Sequence, residues 1–433
     1  MIQTRTEPTN GSGTHTSAPN TTRKRVLFLT YRFPYPLVGG DRVKSYHLLR
    51  HLSTIADVDL ISLDEWDTGH GEALEHLRSF CHSVKVVPFR KRAAALRIVR
   101  SLASSTPIEA AYYNDPLMQR AVDEALICNH YDLAIGFFIR TACYLKYATG
   151  VTKMLIAEDS RLLADERATK HFSASPEYVV RRIDALRLRR YEPALMKQFA
   201  VTTFVATPDE ERVKGVDPAV RTAILTNGVD LERYAFNDGE RENAILFAGH
   251  LGIYHNRRMV ERVLTSIYPA IRAERPDVKL WIAGKDPTDD LVKLIAATDG
   301  AELFRDPADL APFYAKAKVF VHPQDVGAGI QNKLLEAMAS GCPVVTTPIG
   351  ASGIDGIING MHVMVSETDE EFVHNGLRLL GDAKESAWLA RNSRTLIERR
   401  YSWDQVFSSF DDIIEGIAPN FFTVGVPKRE ALS

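Results

Sequence analysis

The segment from Val319 to Gly353 combines glycines with polar side chains at helical spacing. Gly327 and Gly329 precede a stretch in which apolar residues recur at helical spacing, so a helix is predicted to begin near residue 329. The first turn of a helix presents unpaired backbone N–H groups and the positive end of the helix dipole, which together favour a bound phosphate. Because glycine has no side chain, an anion can come close to this turn. The spacing therefore predicts a phosphate-binding site.

Polar side chains on the predicted helix extend this site. Asn332 and Glu336 are four residues apart and Lys333 lies beside them, so all three can border one cleft. A carboxylate would repel a phosphate, but it could accept hydrogen bonds from the two hydroxyls of a ribose. Together these residues favour a nucleoside diphosphate as the ligand. The alternative is an ordinary exposed helix face, and spacing alone does not decide between the two.

Two strands must hold this helix in place. Val319 to Val321 is typical of a buried strand, Gly341 and Pro343 mark the end of the helix, and Val344 to Thr346 predicts the next strand. Similar apolar segments alternate with helical ones along most of the chain, which indicates an α/β protein with parallel, doubly wound sheets. In such sheets ligands bind beyond the carboxyl ends of the strands.

Polar residues also follow the predicted strands of the first half. Asp159 comes directly after the strand-like segment Met154 to Ala157, which makes it a candidate for an acceptor-side or catalytic carboxylate. The alternative is an aspartate that caps the following helix. Gly39, Gly40 and Arg42 form a glycine-rich turn after the first strand, but the three-glycine dinucleotide fingerprint is missing. The alternative there is a tight turn with a solvated arginine.

Composition limits the classes of function. The chain of 433 residues is ordinary for a globular protein, and its formal net charge of -2 gives no argument for a nucleic-acid partner. The four cysteines lack metal-ligand spacing and are expected to be buried thiols in a reducing cytoplasm. We find no apolar run long enough for a transmembrane helix and no apolar signal core at the N-terminus. Residues 1–22 are predicted to be a disordered tail.

The central segment resembles a known family. Leu335 to Ala339, followed by Gly341, Pro343 to Val345 and Gly350, is similar to the nucleotide-sugar site of family-4 retaining glycosyltransferases of the GT-B fold. Gly329-Ile330-Gln331-Asn332-Lys333 is closer to a subgroup encoded with bacterial exopolysaccharide and exosortase-type systems. The resemblance implies sugar transfer, with retention, from a nucleoside-diphosphate sugar to a hydroxyl of a glycan or lipid-linked acceptor. It implies neither a metal nor a cofactor.

One position departs from the family pattern. Most members carry a glutamate eight residues before the ribose glutamate, where it touches the donor sugar, and this chain has Ala328 there. Donor-sugar contacts must then come from elsewhere, with Asp325, Gln331 and the backbone as candidates.

The resemblance assigns roles to particular residues. Glu336 would hold the ribose, and Lys333 with the N–H groups of Gly329 and Ile330 would receive the charge that grows on the departing diphosphate. Many relatives have an arginine and a lysine in the loop where this chain has His250 and His255. Histidine is mostly neutral at pH 7, so weaker charge stabilisation is expected unless Lys333 or Arg257 substitutes. The catalytic candidates are Lys333, Asp159 and His250. The candidates for substrate binding are Gly39, Gly40, Arg42, Gly249, His255, Arg257, Gly284, Lys285, Gly327, Gly329, Ile330, Gln331, Asn332 and Glu336.

The resemblance also implies a domain organisation. Two Rossmann-like domains are expected to face each other across a cleft, the first over residues 23–225 and the second, which binds the donor, over residues 226–400. Asn227-Gly228 is a strong turn signal at the crossing between them. A closing helix within residues 401–420, predicted from Trp403 to Ile417, would return to the first domain.

Two basic helical stretches suggest a location in the cell. Lys91 to Leu102 and Glu177 to Phe199 mix arginines and lysines with apolar residues, as helices that lie on anionic membranes do. A lipid-linked acceptor would suit such a place, so we expect a cytoplasmic protein with peripheral contact to the inner face of the plasma membrane. The alternative is a solvated helix face.

Three functions compete at this point. A transferase is the first. A GT-B sugar-nucleotide epimerase is the second, and it would act on the donor without an acceptor. A catalytically inactive sugar-nucleotide-binding partner is the third, suggested by Ala328 and the two histidines.

Overall fold

The computed structural model describes residues 23–37, 39–64, 71–169 and 176–422. The predicted disordered tail, residues 1–22, lies outside these ranges. Within them, all four cysteines are free thiols, and three are buried as expected. The expectation is wrong for Cys128, which is exposed at the end of a surface helix.

Seven strands of the first half form one parallel sheet. They are β1 (Lys24–Thr30), β2 (Ala56–Asp64), β3 (Ser83–Pro88), β4 (Leu133–Phe137), β5 (Thr152–Glu158), β6 (Val201–Phe204) and β7 (Thr222–Ile224). The order across the sheet is β3-β2-β1-β4-β5-β6-β7. The central strands are apolar over most of their length, apart from polar residues near their ends, because helices cover both faces of the sheet.

Helices connect these strands. They are α1 (Gly40–Ile55), α2 (Gly71–Arg78), α3 (Lys91–Ser101), α4 (Ile108–Tyr113), α5 (Pro116–Cys128), α6 (Ala142–Leu145), α7 (Arg161–Thr169), α8 (Pro176–Met196) and α9 (Thr207–Lys214). A 3-10 turn, Ile139–Thr141, precedes α6.

A second parallel sheet has six strands. They are β8 (Glu242–His250), β9 (Lys279–Lys285), β10 (Ala301–Arg305), β11 (Ala317–His322), β12 (Val344–Thr346) and β13 (Met364–Val365). Their order is β10-β9-β8-β11-β12-β13. The last strand is shorter than the predicted segment Met361 to Val365, because residues 358–363 form a hydrogen-bonded turn before it.

Nine helices follow in the same half of the described chain. They are α10 (Tyr254–Arg262), α11 (Tyr268–Glu274), α12 (Asp289–Ala297), α13 (Ala311–Lys316), α14 (Asn332–Ala339), α15 (Pro348–Ser352), α16 (Asp369–Gly381), α17 (Ala383–Arg400) and α18 (Trp403–Ile417). A π-helical segment, Val263–Ile267, joins α10 to α11. Two parallel sheets with helices on their faces confirm the predicted α/β class with two Rossmann-like units.

The last helix leaves the second sheet and packs against the first. The Ser402 side chain caps α18 by accepting from the N–H of Gln405. Val406, Phe410 and Ile414 are buried in the same apolar cluster as residues of α1 and β1. A backbone bond from Val229 N–H to the carbonyl of Tyr401, 2.7 Å long, ties the start of this helix to the crossing between the two halves.

Candidate functional site

The glycine-rich loop before α14 lies against the first half of the molecule. Helix α14 begins at Asn332, three residues later than predicted, because Gly329 still belongs to the loop with φ of +67°. Glycine adopts this left-handed conformation without strain. A Cβ atom on Gly329 would lie 3.2 Å from Val205 and 3.4 Å from Asp159, so the loop is in contact with the ends of β5 and β6.

Three hydrogen bonds join this region to the first half. The N–H of Gly329 donates to Asp209 Oδ2 at 3.0 Å. Arg167 of α7 donates to the carbonyl of Gly327 at 2.8 Å. Asn227 donates to Asn332 Oδ1 at 2.7 Å. The predicted phosphate-binding turn therefore stands at the junction of the two halves.

Asp209 was not among the predicted site residues. It is buried in the first turn of α9 and also accepts from the N–H of Ser160 at 2.8 Å. Burial raises the pKa of Asp209 to about 6, the charge of Asp159 adds to this, and the two backbone bonds oppose it. The expectation of an unpaired Gly329 N–H is thus wrong for this structure, because a carboxylate already accepts from it. The local sequence indicated only a helix start at this position.

Lys333 reaches across to the end of β8 and the first turn of α10. Its ammonium donates to Asn256 Oδ1 at 2.7 Å and would lie 3.4 Å from a Cβ on Gly249. The Asn256 amide in turn donates to the carbonyl of His250 at 2.9 Å. Burial lowers the pKa of Lys333 to about 8, and the charge of Glu336 opposes this shift. The ammonium is therefore held in place by Asn256, and the charge of Glu336 offsets only part of the effect of burial on its pKa.

Glu336 lies one turn along α14 in an aromatic pocket. The hydroxyls of Tyr234 and Tyr314 and the charges of Arg233 and Lys333 all act on its carboxylate. Burial raises the pKa of Glu336, while those four groups oppose the shift. Both tyrosines are buried, so they act on the carboxylate from the interior, and Glu336 is suited to accept from the hydroxyls of a ligand. The two tyrosines were not predicted.

The two histidines have different surroundings. His250 Nε2 lies 3.0 Å from Asp286 Oδ2, and both side chains are largely exposed. The pKa of His255 is lowered to about 4, first by burial of its ring and then by the charge of Lys333, so this ring is neutral at pH 7. The predicted weakness of histidine as a cation applies at His255.

Arg258, and not the predicted Arg257, contacts the glycine loop. Arg257 lies 3.5 Å from Glu261 on its own helix, α10. Arg258 lies 2.7 Å from Asp325 in the loop after β11. Adjacent helical residues point about 100° apart, so the start of α10 at Tyr254 decides which of them faces the loop.

Gly284 is needed for packing. A Cβ there would lie 1.9 Å from the carbonyl oxygen of Gly249, which pairs with it across β8 and β9. Lys285 follows at the strand end with an exposed side chain. The turn predicted to border a nucleotide base therefore lies directly beside the loop that Lys333 approaches.

The turn after β1 faces the start of α14. A Cβ on Gly40 would lie 2.7 Å from Asn332 Nδ2, so glycine permits the close approach of the two helix starts. Gly39 has φ of +97°. Arg42 is half-buried beside Asp41, which accepts from the hydroxyl of Tyr31 and from Arg32 at 3.2 Å.

Asp159 lies beside Gly329 but does not cap α7. The first N–H groups of that helix donate to Glu192, at 3.0 and 3.1 Å, and to the Ser160 hydroxyl at 3.3 Å. The alternative of an aspartate cap is therefore wrong. Asp159 Oδ2 lies 3.7 Å from Arg161, while its buried Oδ1 has no hydrogen-bond partner within the described ranges. Burial raises the pKa of Asp159.

Neither a metal site nor a membrane-spanning helix was predicted from the sequence. In the ranges that the structure describes, no group of three or more histidine, cysteine, aspartate or glutamate side chains could hold a metal ion. Over the same ranges, no helix is both long and apolar enough to cross a membrane.

Comparison with known proteins identifies part of the chain. Residues 242–382 match the family model described as "Glycosyl transferases group 1". An "Uncharacterized 44.6 kDa protein in cps region" of Klebsiella pneumoniae is 30% identical over 172 residues, which are 38% of this chain and 44% of that protein. The "Lipopolysaccharide 1,2-N-acetylglucosaminetransferase" of Salmonella typhimurium is 24% identical over 253 residues, 51% of this chain and 64% of the relative. The chain thus aligns with less than two thirds of either relative.

Solved structures match nearly the whole chain. Anabaena HepE in complex with UDP-glucose has a TM-score of 0.62 at 15% identity and covers 90% of this chain and 99% of its own. Sucrose-phosphate synthase from Thermosynechococcus elongatus has a TM-score of 0.64 at 17% identity, with 91% and 99% covered. TarM has 0.66 at 10% identity, with 93% and 99% covered. The GT-B fold is confirmed, and the prediction of a glycosyltransferase domain is confirmed for residues 242–382.

Proposed function

We propose that the protein transfers a sugar from a nucleoside-diphosphate sugar to a hydroxyl group, with retention of configuration at the sugar. One observation carries this proposal. The glycine loop before α14 lies at the carboxyl ends of strands from both sheets, in contact with Asp209 and Asp159 of the other half, and Lys333 and Glu336 follow it on α14. A ligand held at α14 is therefore within reach of groups from the first domain.

The diphosphate would bind at the glycine loop and the first turn of α14. Gly327, Gly329, Ile330 and Gln331 bring backbone to this place, and Lys333 supplies a cation from the side of β8. Charge grows on the leaving diphosphate as its bond to the sugar breaks, so fixed donors there stabilise the transition state more than the ground state. Binding would also require the Gly329 N–H to exchange the Asp209 carboxylate for a phosphate oxygen.

The nucleoside would lie between α14 and the β9 turn. Glu336 would accept from the ribose hydroxyls, and the surrounding phenols of Tyr234 and Tyr314 would fix the position of its carboxylate. Gly284 and Lys285 would border the base. His250 and His255 would line the diphosphate, and His255 would supply little charge because its ring is neutral at pH 7.

The acceptor would approach from the first domain. Asp159 has one buried oxygen available to accept from a hydroxyl, and it lies beside the loop that would hold the leaving group. Gly39, Gly40 and Arg42 would form the opposite wall. In a front-face reaction the donor phosphate takes the proton of the attacking hydroxyl, so the role of Asp159 would be to orient that hydroxyl beside the phosphate.

The relatives support a role in bacterial surface glycans. One is named for a cps region and another is a lipopolysaccharide N-acetylglucosaminetransferase. We therefore propose a glycan or a lipid-linked acceptor in exopolysaccharide or related glycan biosynthesis. A lipid-linked acceptor would place the protein in the cytoplasm, peripherally at the inner face of the plasma membrane.

Calorimetry with UDP-, GDP-, ADP- and TDP-sugars tests the donor site, and Glu336→Gln is the decisive variant. Glutamine keeps the shape but loses the charge that strengthens two hydrogen bonds to ribose. Each charge-assisted bond contributes roughly 1.5–3 kcal/mol, and the neutral amide keeps part of this, so we expect about a tenfold to thousandfold loss of affinity. Glu398→Gln, at an exposed site on α17, is the matched control and should bind as the unmutated protein does.

Product analysis separates the three functions. A transferase forms a new glycoside only when an acceptor is added. An epimerase converts or hydrolyses the donor without one. An inactive partner binds a donor but neither transfers nor converts it. If the unmutated protein binds none of the four donors, the transferase proposal is refuted.

A further inference from the structure

Exposed apolar side chains are concentrated on two neighbouring helices of the first half. Fourteen large hydrophobic side chains are exposed in the described part of the chain, and half of them lie on α3, on α8 or on the residue that ends α3. These seven are Leu96, Val99, Leu102, Val179, Val180, Ile183 and Leu186. We name these seven residues, together with the exposed arginines of the same two helices, the two-helix surface.

On α8 the apolar residues form a stripe. Val179, Ile183 and Leu186 recur at intervals of four and three, so they occupy one face of the helix. The opposite face is buried through Asp184 and Leu188. The helix is therefore anchored to the fold by its other side, and Leu186, which is 67% exposed, is not needed for that contact.

Helix α3 repeats the arrangement. Leu96, Val99 and Leu102 recur at intervals of three and are more than half exposed, while Ala94 on the other side is fully buried. An isolated exposed leucine is ordinary, but two amphipathic helices that both turn an apolar stripe outward are not.

Direct contacts join the two helices into one surface. Arg187 donates to the carbonyl of Leu102, which ends α3, at 2.9 Å, and Asp184 accepts at 3.0 Å from the N–H of Ile108, the first residue of the neighbouring α4. Arg187 follows the exposed Leu186 but points about 100° away from it, so the end of α3 meets the middle of α8 beside the apolar stripe.

The charge around the stripes is positive. Exposed arginines of the two helices flank the apolar residues, namely Arg92, Arg100, Arg182, Arg189 and Arg190. Asp184 is buried and already bonded to the Ile108 N–H, and Glu192 is fully buried as a cap of α7. A chain with a formal net charge of -2 therefore presents a locally basic surface here.

We propose that the two-helix surface docks on an anionic phospholipid membrane. Leucine, valine and isoleucine side chains would enter the boundary between headgroups and acyl chains, and the arginines would meet the lipid phosphates. Basic charge at the edges of an apolar stripe matches that occupant better than it matches a second copy of the same basic surface. The inference concerns a surface outside the cleft and holds whether or not the proposed reaction is correct.

The surface is linked to the cleft through α7. Glu192 of α8 accepts from the N–H groups of Arg161 and Leu162 at the start of α7, and Arg167 of α7 holds the carbonyl of Gly327. A membrane against α8 would thus be connected to the glycine loop of the cleft through a single helix, α7.

Vesicle sedimentation with the full-length protein tests the proposal. We expect sedimentation with vesicles of phosphatidylcholine and phosphatidylglycerol, and at least tenfold weaker binding to phosphatidylcholine alone. The double variant Ile183→Glu/Leu186→Glu should lose at least tenfold in binding to the anionic vesicles. The control Ile127→Glu/Trp388→Glu changes exposed apolar residues on α5 and α17 and should bind as before. The midpoint of denaturant unfolding should be unchanged in both, which verifies that the variants fold without relying on donor binding.

A second pair of variants tests the charges. Arg189→Gln/Arg190→Gln should weaken anionic-vesicle binding several-fold and reduce its salt dependence. The control Arg391→Gln/Arg399→Gln, on the exposed face of α17, should not. Failure of the unmutated protein to bind anionic vesicles would overturn the proposal, as would equal losses in the controls. A dimer that light scattering detects, and that Ile183→Glu/Leu186→Glu dissociates, would assign the surface to a second copy instead.

Discussion

Replacing Asp209 by asparagine should make donor binding tighter and less dependent on pH. In this structure the Asp209 carboxylate accepts from the Gly329 N–H at 3.0 Å, at the place proposed for a donor phosphate. Burial raises the pKa of Asp209 to about 6. As the pH rises through that value the group becomes charged and repels an arriving diphosphate. The asparagine side chain would remain neutral, and it could still accept from the Ser160 N–H.

The size of the effect follows from the geometry. A carboxylate and a phosphate that compete for one N–H lie about 5 Å apart, and two unit charges at that distance repel by roughly 3 kcal/mol at an effective dielectric constant near 20. This corresponds to about a hundredfold in affinity. A raised carboxyl pKa also means that ionisation destabilises the fold: the contribution of neutral Asp209 is complete below the unfolded pKa near 4 and is lost as the pH rises through about 6.

Calorimetry between about pH 5 and 8 measures how tightly the unmutated protein and Asp209→Asn bind the nucleotide sugar found by screening. A sugar-linked diphosphate has no ionisation of its own in this range. We expect the unmutated protein to lose about tenfold to hundredfold in affinity across pH 6, and Asp209→Asn to lose little. The partly exposed, ion-paired Asp217 provides the control variant Asp217→Asn, which should keep the original profile. If Asp209→Asn keeps the step near pH 6, or binds the donor more weakly at pH 7, the competition between carboxylate and phosphate does not exist.

Two further predictions concern the second domain. Lys333→Met should lower kcat by about 10² to 10³ because the leaving diphosphate loses a donor. The rate of the unmutated enzyme should fall above pH 8, because burial lowers the pKa of Lys333 to about 8 and the side chain then loses its proton. Initial rates against pH measure both effects, and a rate that stays level through pH 9 would contradict the assignment. Gly284→Ala should destabilise the fold by about 1–3 kcal/mol or more in denaturant unfolding, because its Cβ would lie 1.9 Å from a carbonyl oxygen. Gly71→Ala, where nothing lies within 4 Å of the new atom, is the matched control.

Local patterns predicted most elements because the signals lie within a few residues of each other. Helix α18 runs from Trp403 to Ile417 as predicted, with Ser402 as its cap. The strand–helix unit around Gly341 was also predicted, and Gly341 has φ of +68° as a residue that ends a helix often has. The start of α14 was placed three residues too early, since apolar periodicity continues through Ile330 in the loop.

Contacts between distant parts of the chain could not be predicted. Asp209 and Gly329 are 120 residues apart, and Arg167 and Gly327 are 160 apart, so no local pattern relates them. Arg257 was predicted where Arg258 makes the contact, because the start of α10 decides which side chain faces the loop. Local sequence patterns place the start of a helix only to within a few residues. Asp159 does not cap α7 because Glu192, far along the chain, and the Ser160 hydroxyl accept from the first N–H groups of that helix.

The glycine loop takes its shape from both halves of the molecule, and this limits how the protein can be re-engineered. A chimera that grafts residues 226–400 onto the first half of a relative inherits the loop sequence but loses Arg167 and Asp209, which fix its backbone. Donor preference in such hybrids should therefore track the origin of α7 and α9 as well as that of the grafted half. Transplanting those two side chains together with the graft is the smallest change expected to restore the parental preference.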